Sequence, residues 1–412
     1  MTLQERSKTR MQFDQFCDQE FDNVLSSFKT KIGKRKSSWK YHSDYQTVES
    51  YYIEKDKNKL ILLHAIRANN FKFDPLTPIF IPKDNSGDYR MVCVPSVKDR
   101  LIQLLFIKYL EEIHPLKFKK FSTNDFALKG NGGVKAAHDK LSNLRKLYKF
   151  ALKTDISSFF DELDRNKVVE LFKDKIDIPY LDKIFNEIIH ADPNFKLLQA
   201  TSEEEFNKFS SIIKKKRGRG IRQGMPIASL LASFYLQDFE TVLKDKGIKF
   251  IRYADDLVVF SNTEKEIQDH FELIKSELYK VKLSIPEIGI GKTETYRHSQ
   301  TLLFLGLELK KVSKEFKLFI PKKAFQDLNT KVIKFQGYRN NIKSGLNFYK
   351  TCQKVDLICN GYLACYENAA NLMEFKKFIQ EKKIFAYKRL LAPIGVDYES
   401  LSVEKKKYFF NE

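Results

Sequence analysis

Cysteine is scarce in this chain. Cys17, Cys93, Cys352, Cys359 and Cys365 are the only five among 412 residues, and no two are spaced Cys-x-x-Cys. An odd, widely scattered set indicates neither a disulfide framework nor a zinc ribbon, so reduced and mostly buried thiols are expected. Long apolar runs are missing too. Nothing approaches the roughly 20 residues of a membrane span, and the start, MTLQERSKTR, has no apolar h-region, so a cytoplasmic protein without membrane contact is expected. There is no fixed-period repeat and no low-complexity tract. Acidic residues are the minority charge, 53 Asp and Glu against 73 Lys and Arg, which leaves a formal net charge of +20. The sequence pI is about 9.4. Such an excess suits a polyanionic partner, because each neutralised phosphate releases counterions, although a merely soluble basic protein has the same balance. Hydrophobic residues make up 42% and aromatic ones 13%, which excludes disorder over most of the length and supports two or three packed subdomains.

The first 50 residues are polar and charged. A basic run from Lys31 to Lys36 ends near the only tryptophan, Trp39, and reads either as a solvated tail or as an RNA-contacting arm. Two β-rich runs, Ile79–Ile81 and Tyr89–Val94, flank the turn formers Asp84 to Gly87, a hairpin pattern. The stretch SVKDRLIQLLFIKYLEEI then has apolar residues at helical spacing. FALKTDI is a short β run with an acid near its end, followed by a helical pattern. Residues 192–219 read as a mobile insertion, with an acidic Glu203-Glu204-Glu205 and a basic KKKRGRG. One small-residue helix, IASLLASFYLQDFE, follows. KFIRYADDLVVFS reads as two β runs around a tight acidic turn, TLLFLGLELK as strand, and the chain beyond Pro321 as helical and basic.

The acids in these runs carry the chemistry. Asp255 and Asp256 lie between apolar strands, and a buried acidic pair costs several kcal/mol unless compensated. A divalent cation would compensate it; a solvated turn is the alternative. Asp155 also ends a β run. Two strand-end acids on adjacent strands could hold metals for an in-line phosphoryl displacement. Asp161 and Asp164 fall in the helical stretch, where exposed acids are ordinary.

LKTDISSFFDELDR, RQGMPIASLLASFYLQDFE, IRYADDLVVFS and TLLFLGLELK resemble, in order, the palm motifs of reverse transcriptases. Upstream, YRMVCVPSVKDRLIQLL is similar to the fingers motif of group II intron and related bacterial enzymes, and NDFALKGNGGVKAAH to the segment after it. GKTET and the stretch from Gly361-Tyr362 to Tyr366 look like the segment before the primer grip and a thumb helix. The resemblance spans roughly residues 70–370. It implies an α+β right-hand polymerase with fingers, a palm of antiparallel sheet packed on helices, and a helical thumb. The expected divisions are a basic extension at 1–50, fingers at 51–150, palm at 151–315 with the insertion near 192–219, and thumb at 316–412.

The resemblance also implies roles. Asp155 and Asp255 would ligate two Mg²⁺ ions (Mn²⁺ being the alternative), with Asp256 supporting the site as a third catalytic and metal-binding acid and the Ile156 carbonyl as a further ligand. Phe160 falls at the steric-gate position, where a ring collides with a ribose 2′-hydroxyl and favours dNTPs; Phe159 and Phe160 could equally be core. Gln223 and Gly224 match the nucleotide-binding loop, where glycine lets backbone approach the incoming nucleotide. The helix beyond could pack on the sheet or approach template. Lys83 and Arg90 look like the pair that grips the triphosphate, or they decorate a solvated hairpin. Arg100 would touch template backbone or pair with an acid. Lys292 resembles the lysine that protonates pyrophosphate, and Phe304, Leu305 and Gly306 match the primer grip.

Within the family, no zinc-finger endonuclease pattern follows the thumb, and neither the retron VTG signature nor an NAxxH stretch is present. QGMPIASLLASFYL with a basic helical C-terminus resembles the defence-associated, abortive-infection reverse transcriptases. That resemblance implies RNA-directed DNA synthesis on a dedicated non-coding RNA template, with a DNA primer and product, dNTPs and a role in antiphage defence. The alternatives are a retron- or intron-type enzyme, an untemplated or protein-primed DNA polymerase of the same fold, and a silent RNA-binding protein. The oligomeric state is left open.

Overall fold

The computed structural model describes residues 3–33, 46–83, 88–113, 122–176, 181–200 and 202–410. Most of the basic run and Trp39, and the hairpin turn Asp84 to Gly87, lie outside the described residues. The helices are α1 (Leu3–Gly33), α2 (Val48–Ile53), α3 (Lys55–Arg67), α4 (Val97–Ile113), α5 (Gly133–Leu147), α6 (Phe159–Glu162), α7 (Arg165–Ile176), α8 (Asp182–His190), α9 (Glu203–Lys216), α10 (Ala228–Tyr235), α11 (Gln237–Asp245), α12 (Glu264–Lys280), α13 (Lys322–Ile333), α14 (Tyr338–Lys343), α15 (Phe348–Cys365), α16 (Leu372–Leu391) and α17 (Val403–Phe410). The strands are β1 (Thr77–Pro82), β2 (Tyr89–Val94), β3 (Phe150–Asp155), β4 (Lys249–Tyr253), β5 (Asp256–Ser261), β6 (Glu294–Arg297), β7 (Leu302–Phe304), β8 (Leu307–Val312) and β9 (Glu315–Phe319). No helix among the described residues is long and apolar enough to cross a membrane.

Three sheets form: β1–β2, a four-stranded sheet in the order β4–β5–β3–β6, and β7–β8–β9. In β5, Leu257 to Phe260 are all buried, as a strand covered on both faces requires. The chain divides into two compact units, one of residues 1–133, 153–259 and 268–294, the other of 134–152, 260–267 and 295–412.

In the first unit, the helical spacing of α4 buries Leu101, Ile102, Leu105, Phe106, Tyr109 and Leu110 on one side. Each such side chain contributes about 1.5–3 kcal/mol. Phe172 stacks on Phe185 at 3.8 Å between ring centroids, and both rings lie against Phe106. Four of the five cysteines are buried and none is bridged; burial pushes Cys93 and Cys352 up to about 12. In the second unit, α13 packs against α15 and α16, and Tyr387, Tyr398 and Phe410 close an aromatic cluster near the end of the chain.

Two expectations need correction. Residues 192–219 are not a loose insertion. They contain α9, whose Ser202 caps the Glu205 N–H and whose first turn holds the three glutamates, where the helix dipole favours negative charge. The small-residue helix is two helices, since the backbone at Leu236 (φ −92°, ψ 7°) leaves helical geometry between α10 and α11.

Candidate active site

Only Ala254 and Asp255 connect β4 to β5, so Asp255 sits on a two-residue turn and Asp256 opens β5. Ala254 occupies the left-handed region at φ +57°, a conformation that costs a residue with a side chain about 1–2 kcal/mol. It is held from both sides. Its N–H donates to Asp125 Oδ1 at 3.2 Å, and its carbonyl accepts from Arg252 Nη1 at 3.0 Å. Arg252 is fully buried and reaches Asp125 Oδ2 at 2.9 Å, Glu240 Oε1 at 2.6 Å and Ser233 Oγ at 3.1 Å. Ser122 Oγ donates to Glu240, and backbone bonds link Phe126 to the Arg252 carbonyl and the Arg252 N–H to Asn124. The acidic turn therefore stands on a buried ion cluster.

Asp155 ends β3 beside it. The Ile156 N–H donates to the Asp255 carbonyl at 3.0 Å, which holds the two acid-bearing positions side by side. Asp255 is raised from its ordinary value, chiefly by burial and further by the charge of Asp155, while Lys292 and Arg90 oppose the rise. Asp256 is also raised, by burial and then by Asp255, against Lys292 and Lys153. Lys292 Nζ contacts Asp155 Oδ2 at 2.9 Å; burial lowers its pKa, and the acids more than reverse this. Its segment is fixed by Thr293 Oγ1, 2.8 Å from Thr154 Oγ1 on β3, with both residues fully buried.

Among the described residues no group of three His, Cys, Asp or Glu side chains is placed to hold a metal ion by itself. Asp155 and Asp255, on backbone joined by one hydrogen bond, offer two partly compensated carboxylates. That suits Mg²⁺, which takes few protein carboxylates and completes its shell with water and substrate phosphate. The donor set fits the ion.

In the hairpin, the β1–β2 register pairs Ile81 with Arg90, and the Lys83 N–H donates to the Asp88 carbonyl at 2.8 Å, extending the ladder. Lys83 and Arg90 thus share one face of the hairpin, both exposed, and the charge of Arg90 acts on Asp255. The Gln223 carbonyl accepts from the Cys93 N–H at 2.7 Å. Gly224, at φ +97°, has no room for a side chain, since a Cβ would lie 2.6 Å from the Cys93 carbonyl oxygen. Phe159 is buried and Phe160 half-buried, so the first serves the core and leaves the second available. Arg100 donates from Nε to the Pro95 carbonyl at 3.0 Å.

Asp161 and Asp164 belong to ion pairs, with Lys216 at 2.6 Å and Lys282 at 2.9 Å. The basic cluster is correspondingly divided, because Lys216 and Arg219 are paired with Asp161 and Glu162. In the second unit, Leu305 and Gly306 form the β7–β8 turn with φ +47° and +84°, and the Phe304 carbonyl lies 2.9 Å from His138 Nε2. Burial lowers His138, which suits a neutral ring donating there.

Sequence reasoning did not single out Asp125, Arg252, Glu240 or Asp192. One signal was available: an arginine inside the otherwise apolar strand before Tyr253 needs a buried partner.

Residues 81–309 match the family model described as reverse transcriptase (RNA-dependent DNA polymerase). The match covers more than half of the chain, which belongs to this family. Its mixed architecture with antiparallel sheets is that of a right-hand polymerase. Over 239 residues the chain is 22% identical to the group II intron-encoded protein LtrA of Lactococcus lactis subsp. cremoris, covering 57% of this chain and 36% of that protein. Over 218 residues it is 22% identical to the putative COX1/OXI3 intron 2 protein of Saccharomyces cerevisiae, covering 53% and 23%. The chain thus spans between 23% and 36% of the length of these relatives. A solved telomerase from Candida albicans, in complex with a TWJ fragment of telomeric RNA, aligns over 86% of this chain and 68% of that one at 13% identity, with a TM-score of 0.38.

Proposed function

We propose that the protein is an RNA-directed DNA polymerase that adds dNTPs to a primer 3′-hydroxyl at Asp155 and Asp255. The observation that carries this reading is the bond from the Ile156 N–H to the Asp255 carbonyl, which sets two strand-end acids together beside Lys292. Asp155 and Asp255 would hold divalent cations, Mg²⁺ or Mn²⁺, with Asp256 alongside and the Ile156 carbonyl as a further donor. Held there, the ions would supply activation of the attacking hydroxyl and charge neutralisation at the departing pyrophosphate. Lys83 and Arg90 would grip the triphosphate. Gln223 and Gly224 would line the nucleotide, Lys292 would protonate pyrophosphate, and Phe160 would reject the 2′-hydroxyl. Phe304, Leu305 and Gly306 would hold the primer end.

Primer extension on RNA with Mg²⁺ and dNTPs tests the site. Asp255→Ala should abolish synthesis while RNA binding persists; retained synthesis would refute the assignment. The finer proposal, a dedicated non-coding RNA template in antiphage defence, rests on the motif resemblance and the family membership. Sequencing both the RNA that copurifies with the protein and its cDNA tests that proposal. A homopolymer product would favour untemplated synthesis instead.

A further inference from the structure

The polypeptide between Asp155 and Asp255 contains a second ion cluster with no part in holding metal. Asp192 accepts from Arg165 Nη2 at 2.7 Å, from Arg222 Nη2 at 2.6 Å and Nε at 3.1 Å, and from the Gly218 N–H at 2.9 Å. Arg165 and Arg222 are both buried. Burial pushes the Asp192 carboxyl up, but the two guanidinium groups outweigh this and hold it below its ordinary value.

The cluster fixes residues 217–222. Arg165 Nε donates to the Gly220 carbonyl at 2.8 Å, and Arg222 to the Lys216 carbonyl. This loop lies directly on the backbone of Phe160. The Ile221 N–H donates to the Phe160 carbonyl at 2.7 Å, and a Cβ on Gly220 would lie 2.5 Å from that same oxygen. The pairs Lys216–Asp161 and Arg219–Glu162 fasten the adjoining turn. At the other end, α9 sets Phe209 in a parallel stack on Phe80 of β1, 4.1 Å between centroids, with its edge against Tyr89 of β2. The Asp192 carbonyl also accepts from the Leu76 N–H at 3.3 Å, next to β1.

We infer that Asp192, with Arg165 and Arg222, is a positioning hub for sugar discrimination: it locks the 217–222 loop against Phe160 and ties Phe160 to the β1–β2 hairpin. The inference rests on the reading of Phe160 as the residue that rejects the 2′-hydroxyl. A gate of this kind works by collision, so its selectivity depends on where the ring is held. Charge-assisted bonds between buried partners suit that task, because they hold one geometry. Small misplacements of a positioned group carry large kinetic penalties.

The test is single-nucleotide incorporation by the full chain on a primed RNA template with Mg²⁺, comparing kcat/KM for a dNTP with that for the matching rNTP. Four proteins are needed: the parent, Phe160→Ala, Asp192→Asn and Gly220→Ala. Gly220→Ala forces the loop away from the Phe160 backbone while leaving the Asp192, Arg165 and Arg222 side chains in place, so it serves where Asp192→Asn folds poorly. Both variants should lower the dNTP-to-rNTP ratio by roughly tenfold. A merely structural role would depress both substrates together and leave the ratio unchanged. That result in Asp192→Asn and Gly220→Ala, alongside a collapsed ratio in Phe160→Ala, would overturn the hub and leave the gate standing. An unchanged ratio in Phe160→Ala would overturn the gate and the hub with it.

Discussion

Replacing Arg252 by alanine should be among the most damaging single changes in the first unit. The guanidinium makes contacts of 2.6–3.1 Å to Glu240, Asp125, Ser233 and the Ala254 carbonyl, at zero exposure. Removing it strands two buried carboxylates. Breaking one buried ion pair in this way costs about 3–5 kcal/mol. Some compensation remains: Glu240 keeps Lys244 at 3.6 Å and the Ser122 hydroxyl, and Asp125 keeps the Ala127 and Ala254 N–H groups. The expected loss is therefore near the lower end, about 3 kcal/mol, a large share of a total of roughly 5–15 kcal/mol. Equilibrium urea denaturation would read it as a lower midpoint at an unchanged slope. Native-state hydrogen exchange at the Phe126 and Arg252 amides would locate the loss, since both amides bond within this cluster. Adding Asp125→Asn and Glu240→Gln should recover part of the stability, because the stranded charges go. A cost below about 1 kcal/mol for Arg252→Ala, or no recovery in the triple variant, would refute the claim that the charges are mutually dependent.

Further outcomes follow from other sites. Burial, reinforced by the charge of Asp74, raises Asp99 to about 8, whereas an unfolded aspartate titrates near 4. Between those values the native state holds the extra proton, so stability at this site should fall as pH rises from about 4 to about 8. Asp99→Asn should remove that slope in urea midpoints measured across the window, and an unchanged slope would assign it to another group. Gly224→Ala places a side chain against the Cys93 carbonyl at a strained φ, so KM for dNTP should rise more than global stability falls; equal losses in both would make the glycine purely structural. Neutralising Lys214, Lys215 and Arg217 should flatten the salt dependence of RNA binding if that surface meets phosphates. Neutralising Lys216 and Arg219, which are already paired, should flatten it less.

Much of this protein could be read from local pattern. Strand β3 ending in Asp155, strands β4 and β5 around the Asp255 turn, the β1–β2 hairpin, α4 and the helical character beyond Pro321 all followed from periodicity, because each buries residues at its own repeat. The division of labour between Phe159 and Phe160 was legible only as an alternative, since two adjacent rings cannot both enter the same core. What went unread has a common cause. Asp125 meets Arg252, and Asp192 meets Arg222, only after the chain has folded back on itself, and a charged residue reveals nothing locally about a distant partner. Residues 192–219 were misjudged for the same reason: their charges look like those of a solvated loop until Asp161, Glu162 and Arg165 are brought against them. The sequence by itself determined the strands around the acidic residues and the family, because side-chain period and motif order are local. Tertiary structure alone decided which acids are paired, which are gathered at the β3 end and the β4–β5 turn, and why a strained alanine is tolerated beside Asp255. Those depend on burial and on partners that only three-dimensional packing brings within a few ångströms.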